Sequence, residues 1–281
     1  MTDVLPTSTG EPTDDLDRMH ADLERAKRVT AGDVPLIQSS LDGNVELPRG
    51  LHYNGTWQRK AFVRELTGVD EEALARVREV FDTYDTVLSL GTVRIGELDL
   101  ASLSLPERQG HLQQLLLGER DQLYIAIVQA TYGDRKTLRY RCQNEACGEE
   151  QDLILTLSED FKPKVIEDID RTEFEYTTSK GDVIAYRAAV GSDQYEILKR
   201  RNATMAEQNS TMLSRCIRSV NGNIVVDPLL YARQLSMPDR HALLTLLVER
   251  QPSVDMNVTI ECIACREEQV IPLGWGDIFR P

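Results

Sequence analysis

Long apolar runs are missing from this chain: none in its 281 residues approaches the roughly 20 that a membrane helix needs. The first residues also lack the basic start and apolar stretch of a secretory signal, so a soluble protein made in a cytoplasm is expected. Positive charge is scarce. Lys and Arg number 32 against 46 Asp and Glu, a net charge of -14. Such a chain cannot readily neutralise phosphates, so neither a nucleic-acid reader nor a membrane protein is expected. Basic strips such as Arg135-Lys136-x-x-Arg139-x-Arg141 and Lys199-Arg200-Arg201 read as solvated faces balanced by surplus acid. There is no G-x-S-x-G, no glycine-rich phosphate loop and no H-E-x-x-H. No catalytic residue is therefore expected, and the chain is not read as an enzyme.

What is present is a pattern that occurs twice. Glu119-Arg120, the apolar run Leu123 to Val128 and the alternating Leu138-x-Tyr140-x-Cys142 fall opposite Asp239-Arg240, Leu243 to Val248 and Val258-x-Ile260-x-Cys262, 120 residues on and without a gap. Four residues separate Cys142 from Cys147 and two separate Cys262 from Cys265, so the offset then becomes 118. At that spacing Glu149-Glu150-Gln151 matches Glu267-Glu268-Gln269, and Leu153, Leu155 and Phe161 match Ile271, Leu273 and Phe279. A helix, a strand, a cysteine knuckle and a return strand recur together.

These signals predict an α+β fold of two related lobes, each of helices plus a β-hairpin ending in a zinc-ribbon-like knuckle. Residues 1–48, punctuated by Pro6, Pro12, Pro35 and Pro48 and acidic at their start, read as a flexible arm with a helix-compatible stretch from Asp14 to Arg28. The first lobe spans 49–160, a charged linker with Lys162-Pro163-Lys164 spans 161–182, and the second lobe spans 183–281. Within the first lobe, an extended Trp57 to Arg64 precedes a helix from about Asp70 to Tyr84. Ser104-Leu105-Pro106-Glu107 then caps a helix, and an almost wholly apolar helix runs from about Glu119 to Thr131. The second lobe repeats the order, with a strand around Val183 to Val190, a helix from about Asp193 to Ser219, a turn at Asn221-Gly222-Asn223 and a helix capped by Ser236-Met237-Pro238-Asp239. The two Ser-x-Pro caps read as similar helix starts rather than as the repeat register.

Strand alternation aims Leu138, Tyr140 and Cys142 to one face, and Val258, Ile260 and Cys262 likewise. Return strands Asp152 to Leu157 and Val270 to Trp275 then put each cysteine pair at a hairpin tip, which needs packing or a staple. Zinc bound by four thiolates is the favoured staple, because two close pairs split by a long insertion suit tetrahedral coordination and a cytoplasmic product rarely keeps disulfides. Each lobe supplies only two thiols, and His20, His52, His111 and His241 cluster near neither pair, so one shared structural site of Cys142, Cys147, Cys262 and Cys265 is the economical arrangement. Disulfides within each knuckle and unliganded thiols remain as alternatives. A redox role for Cys262-Ile263-Ala264-Cys265 is disfavoured because both flanks read as strands. Cys216 reads as a small buried hydrophobe.

The run Gly118 to Leu157, through Glu119-Arg120-Asp121, Thr131-Tyr132-Gly133-Asp134 and the Cys142/Cys147 knuckle, resembles baseplate hub proteins of contractile-tailed, T-even-type bacteriophages and related injection systems. The second copy follows through Leu235 to Arg240 and the Cys262/Cys265 pair, and departs at Gln251-Pro252-Ser253-Val254, where the glycine turn is missing. The resemblance implies a structural component of a phage tail baseplate or hub, found in the virion tail after assembly in the host cytoplasm. It implies other tail proteins as partners in a large hetero-oligomeric assembly, with no catalytic residue to carry over. The alternative is an assembly chaperone absent from the finished particle.

Overall fold

The computed structural model describes residues 43–78, 80–200 and 202–279. The expected helix at Asp14 to Arg28 and most of the expected arm lie outside them. The fold is mixed α+β, with two four-stranded antiparallel meanders and two separate hairpins.

In the first half, β1 (Gly43–Tyr53), β2 (Thr56–Val63), β3 (Thr92–Ile95) and β4 (Leu98–Asp99) form one meander. Helices α1 (Gly68–Leu74) and α2 (Val80–Gly91) sit between β2 and β3. Then come α3 (Leu105–Leu112), α4 (Leu117–Tyr132), the hairpin β5 (Arg135–Arg141) and β6 (Glu150–Thr156), and the single turn α5 (Leu157–Asp160). The second half repeats this order. A meander of β7 (Phe174–Thr177), β8 (Val183–Tyr186), β9 (Ile217–Val220) and β10 (Asn223–Ile224) holds α6 (Gly191–Leu198) and α7 (Met205–Cys216) between β8 and β9. Helices α8 (Pro228–Gln234) and α9 (Met237–Glu249), the hairpin β11 (Asn257–Glu261) and β12 (Glu268–Pro272), and α10 (Trp275–Phe279) follow.

Several expected boundaries shift, each for a local reason. Residues 43–48, expected in the arm, begin β1 because Leu47 is wholly buried there. The expected linker contains β7, which pairs with β8 and buries Phe174. The expected helix from Asp70 to Tyr84 is two helices: past Leu74 the backbone tightens into i→i+3 bonds, Arg76 N–H to Ala73 and Val77 N–H to Leu74. The expected helix from Asp193 to Ser219 also breaks, because Thr204 and Glu207 form a capping box that starts α7 afresh. Of the two Ser-x-Pro caps, Ser104 starts α3 and Ser236 starts α9, elements at different places in the repeated order.

The cores do not follow the halves. Helix α4 buries Leu123, Tyr124, Ile127 and Val128 among β1, β2 and α2, each side chain contributing about 1.5–3 kcal/mol of hydrophobic stabilisation. The same core takes Leu153 and Leu155 from β6, Leu157 and Phe161 from α5 and its end, and also Val254 and Ile278 from the far end of the chain. Strands β11 and β12 lay Val258, Ile260 and Ile271 against it. The second core gathers Leu116, Ile184, Tyr186, Leu213, Leu243 and Leu247. Both hairpins thus pack on the first core, where the sequence assigns one to each lobe. The crossing is fixed where the chain leaving α9 passes the start of α4 and pairs with the linker, through the Pro163/Val254 bridge and Lys164 N–H to the Ser253 carbonyl at 2.9 Å. Among the described residues no helix is long and apolar enough to cross a membrane.

Candidate metal centre

Each hairpin reaches its knuckle through a ladder without a slip, Arg135 to Arg141 against Thr156 to Glu150 and Asn257 to Glu261 against Pro272 to Glu268. The turns close alike: Cys142 N–H donates to the Glu149 carbonyl at 2.8 Å and Cys262 N–H to Glu267 at 3.0 Å. The residue after each second cysteine is left-handed, Gly148 at φ 60° and Arg266 at φ 64°. That conformation bends the chain back so that the N–H two residues past the second cysteine faces its sulfur, Glu149 to Cys147 and Glu267 to Cys265.

Face to face, the tips bring the four predicted residues together. Cys142 Sγ lies 3.7 Å from Cys265 Sγ, Cys147 Sγ lies 3.8 Å from Cys262 Sγ, and all four sulfurs fall within 4.8 Å of one another. A tetrahedral ion with metal–sulfur bonds of about 2.3 Å sets its ligand sulfurs about 3.8 Å apart, so the cluster fits one ion. The close pairs run between hairpins rather than within a knuckle, at nearly twice a disulfide bond of about 2.05 Å, and all the cysteines are free. The four cysteines are the group of side chains able to hold a metal among the described residues. His52, His111 and His241 lie elsewhere, while His20 is outside the described residues.

The tips hold each other by a reciprocal pair of contacts that sequence reasoning missed. Gln269 accepts from Gln143 N–H at 2.9 Å and donates Nε2–H to Cys142 Sγ at 3.0 Å. Gln151 accepts from Ile263 N–H at 2.9 Å. Each glutamine thus clamps the residue after the first cysteine of the opposite knuckle, and Asn144 adds a bond to Glu267 at 2.5 Å. The signal was present, since Gln151 and Gln269 match at the 118 offset, but nothing local says that a strand glutamine will meet another hairpin.

The thiols are electrostatically uneven. N–H groups of Cys265 and Ala264 draw the Cys262 thiol down to about 7. The Glu267 N–H also works to lower Cys265, but desolvation and the other sulfurs push it up to about 12. Cys147 is raised as well: the Glu149 N–H and Cys265 work to lower it, and desolvation with the Cys262 and Cys142 sulfurs outweighs them. A set of sulfurs that cannot all ionise together is what a divalent cation resolves, because the ligand form of cysteine is the thiolate. Cys216 stands apart, buried in the second core 3.9 Å from Met212 Sδ, with its thiol pushed up to about 12 by burial.

Carboxylates position what carries the hairpins. Glu119 Oε1 accepts from Arg49 N–H and Gly50 N–H, both at 2.6 Å, and Oε2 from Leu116 N–H at 3.1 Å, pinning the start of α4 to the bulge in β1. Gly50 has φ 83°, and a Cβ there would lie 2.2 Å from the Gln58 carbonyl oxygen, so the bulge requires glycine. Burial pushes the Glu119 carboxyl up despite these donors. Asp239 does the same for α9, accepting from Ser179 N–H and Tyr176 Oη at 2.8 Å. A second motif went unread: Arg64-x-x-x-Gly68-x-Asp70 and Arg187-x-x-x-Gly191-x-Asp193 each close a bidentate pair at a helix start, with guanidinium–carboxylate distances of 2.6–2.9 Å.

A family model described as T4 bacteriophage base plate protein matches residues 100–280, a span that includes both hairpins and all four clustered cysteines. No curated protein and no solved structure matches the chain. Since that match covers well over half of the sequence, the chain belongs to the T4 bacteriophage base plate protein family.

Proposed function

We propose that the protein is a structural connector in the hub region of a contractile-tail baseplate, and that one zinc ion, held by Cys142, Cys147, Cys262 and Cys265, clamps its two hairpins together. The observation that carries this reading is the cluster itself, in which hairpins 120 residues apart in sequence each contribute two thiols to one set of tetrahedral dimensions. Four thiolates fill a tetrahedral zinc ion and leave no position for water or substrate, which supports a structural and non-catalytic role. Family membership supports other tail proteins as partners and the virion tail as location. The acidic balance argues against nucleic acid as a partner. Duplication of an ancestral half explains the recurring element order and the paired Arg-Gly-Asp helix starts.

The test is elemental analysis of the native protein together with quantification of the chain in purified particles. One zinc per chain and a fixed copy number per particle are expected. Two zincs or none would remove the shared clamp, and a chain present in lysates but missing from particles would make it an assembly chaperone.

A further inference from the structure

An open apolar groove in the second half has a filled counterpart in the first. Equivalent contacts set the correspondence. Arg120 of α4 reaches Asp85 of α2, and Arg240 of α9 reaches Ser210 of α7 at 3.1 Å. The end of α4 meets the loop after β2 through Leu66 N–H and Thr131 Oγ1, and the end of α9 meets the loop after β8 through Gln251 Nε2 and the Ala189 carbonyl.

In the first half, α10 occupies the groove between these elements. The Trp275 ring centroid lies 5.5 Å from that of Tyr84 and 5.2 Å from that of Tyr124, and the Tyr124 hydroxyl donates to the Trp275 carbonyl at 3.2 Å. Phe279 packs 5.8 Å from Tyr132 and, with Leu66 and Leu74, lines the cleft of about 630 Å³ that α10 leaves beyond it, while Ile278 is fully buried. In the second half the matching positions, Asn209, Leu244, Ala189 and Ile197, line an open groove of about 560 Å³ with Met212 and Val248 beside them. Val248 is 65% exposed there, although its counterpart Val128 is fully buried. The element that corresponds to α10 by sequence is α5, and it is spent on the first core through Leu157 and Phe161. Because the chain crosses over after α9, both candidate plugs cover the first half, and no described segment covers the second.

We propose that this groove docks a short helical segment of a partner protein that presents an aromatic residue followed, three or four positions on, by further apolar anchors, as Trp275, Ile278 and Phe279 do in the filled groove. The segment comes from a different protein, because a second copy would have to strip its own Trp275 from Tyr84 and Tyr124 to supply it. Binding follows the helix-in-groove mode, with the anchors supplying affinity. The inference goes beyond the connector reading and needs no metal.

The probe is a fluorescent synthetic peptide with the sequence of residues 273–281, titrated by anisotropy against the full-length protein. Saturable binding is expected, weakened about tenfold or more by Trp275→Ala in the peptide and equally by Val248→Asp in the protein, the loss of one buried large side chain being of that size. Thr245→Arg, on an exposed position of the same wall, gives a second blocking variant, and circular dichroism checks that both variants fold. Failure of the wild-type protein to bind, or binding that survives both variants, overturns the proposal. Self-association of the protein that disappears in Val248→Asp also overturns it, by making the occupant a second copy. Zinc content and particle incorporation are read separately, so neither result bears on the clamp.

Discussion

Replacing Cys262 with serine removes one of four sulfurs, and the structure says how far the damage spreads. A structural zinc site supplies on the order of 10 kcal/mol, comparable with the whole stability of a typical domain, about 5–15 kcal/mol. Were that energy shared through the fold, Cys262→Ser would not fold. Both hydrophobic cores, however, are complete without the cluster: Leu123, Ile127 and Val128 in one, and Ile184, Leu213 and Leu243 in the other, are buried away from the tips. Besides the sulfurs, the tips are joined by the cross-hairpin bonds from Gln143, Ile263 and Asn144, together about 3 kcal/mol at about 1 kcal/mol each, and by a long one from Gln151 to the Glu261 carbonyl at 3.5 Å that adds little. Opening the tips therefore costs about 13 kcal/mol with the metal and about 3 without it, a gap of roughly seven orders of magnitude in amide protection. Global unfolding offers a second route for exchange, which sets a practical expectation of at least about a thousandfold. Hydrogen exchange of the zinc-loaded protein and of Cys262→Ser, read at the Gln143 and Ile263 amides, measures it, with α4 amides as the internal reference. Equal loss at α4 would mean that the cluster and cores unfold as one. Unchanged protection at Gln143 and Ile263 would mean that the sulfurs do not hold the tips.

Two further substitutions probe the scaffold. Asp193, wholly buried, accepts from Arg187, Arg215 and the Val190 N–H; burial works to raise its carboxyl, and these partners outweigh it and hold it below its usual value. Asp193→Asn is expected to cost about 3 kcal/mol in urea unfolding at pH 7, since it leaves the partly buried Arg187 and Arg215 without their carboxylate. A depressed folded value means that the contribution is present above the unfolded carboxyl's value near 3.9 and lost as pH falls through the folded one, so the deficit should shrink as pH falls below the unfolded value. A pH-independent deficit would deny the charge its role. Gly118→Ala would set a Cβ 2.1 Å from the Pro252 carbonyl oxygen, where backbone must move. It should destabilise by about 1–3 kcal/mol and raise exchange at Lys164, whose N–H pairs with the displaced Ser253 carbonyl, and a neutral substitution would show that the crossing is loose.

Much of the chain was legible because its signals are local. The apolar runs of α4 and α9, the caps at Ser104 and Ser236, and the strand alternation ending at Cys142 and Cys262 depend on residues a few positions apart, and they appear in the structure with ends displaced by a few residues, although only Leu243 and Leu247 of the α9 run are buried. The helix break before α7 is readable too, since Thr204 and Glu207 make a capping box inside the helix expected from Asp193 to Ser219. Gln151 and Gln269 were aligned without a role, because a glutamine in a strand carries no local instruction about what it will face.

The sequence by itself determined the α+β alternation, the doubled order of its motifs and the four cysteines, since spacing and side-chain chemistry do not depend on how the halves pack. Tertiary structure alone decided that the sulfurs meet across hairpins, that both hairpins lie on one core, and that Trp275 and Ile278 enter one groove while no described segment covers the other. Those outcomes rest on contacts between residues far apart in the chain, such as Gly118 against Pro252 and Pro163 beside Val254. Once the chain crosses over, both hairpins and the short helices after them are spent on the first core, and which half they cover is set by long-range burial, to which no periodicity points.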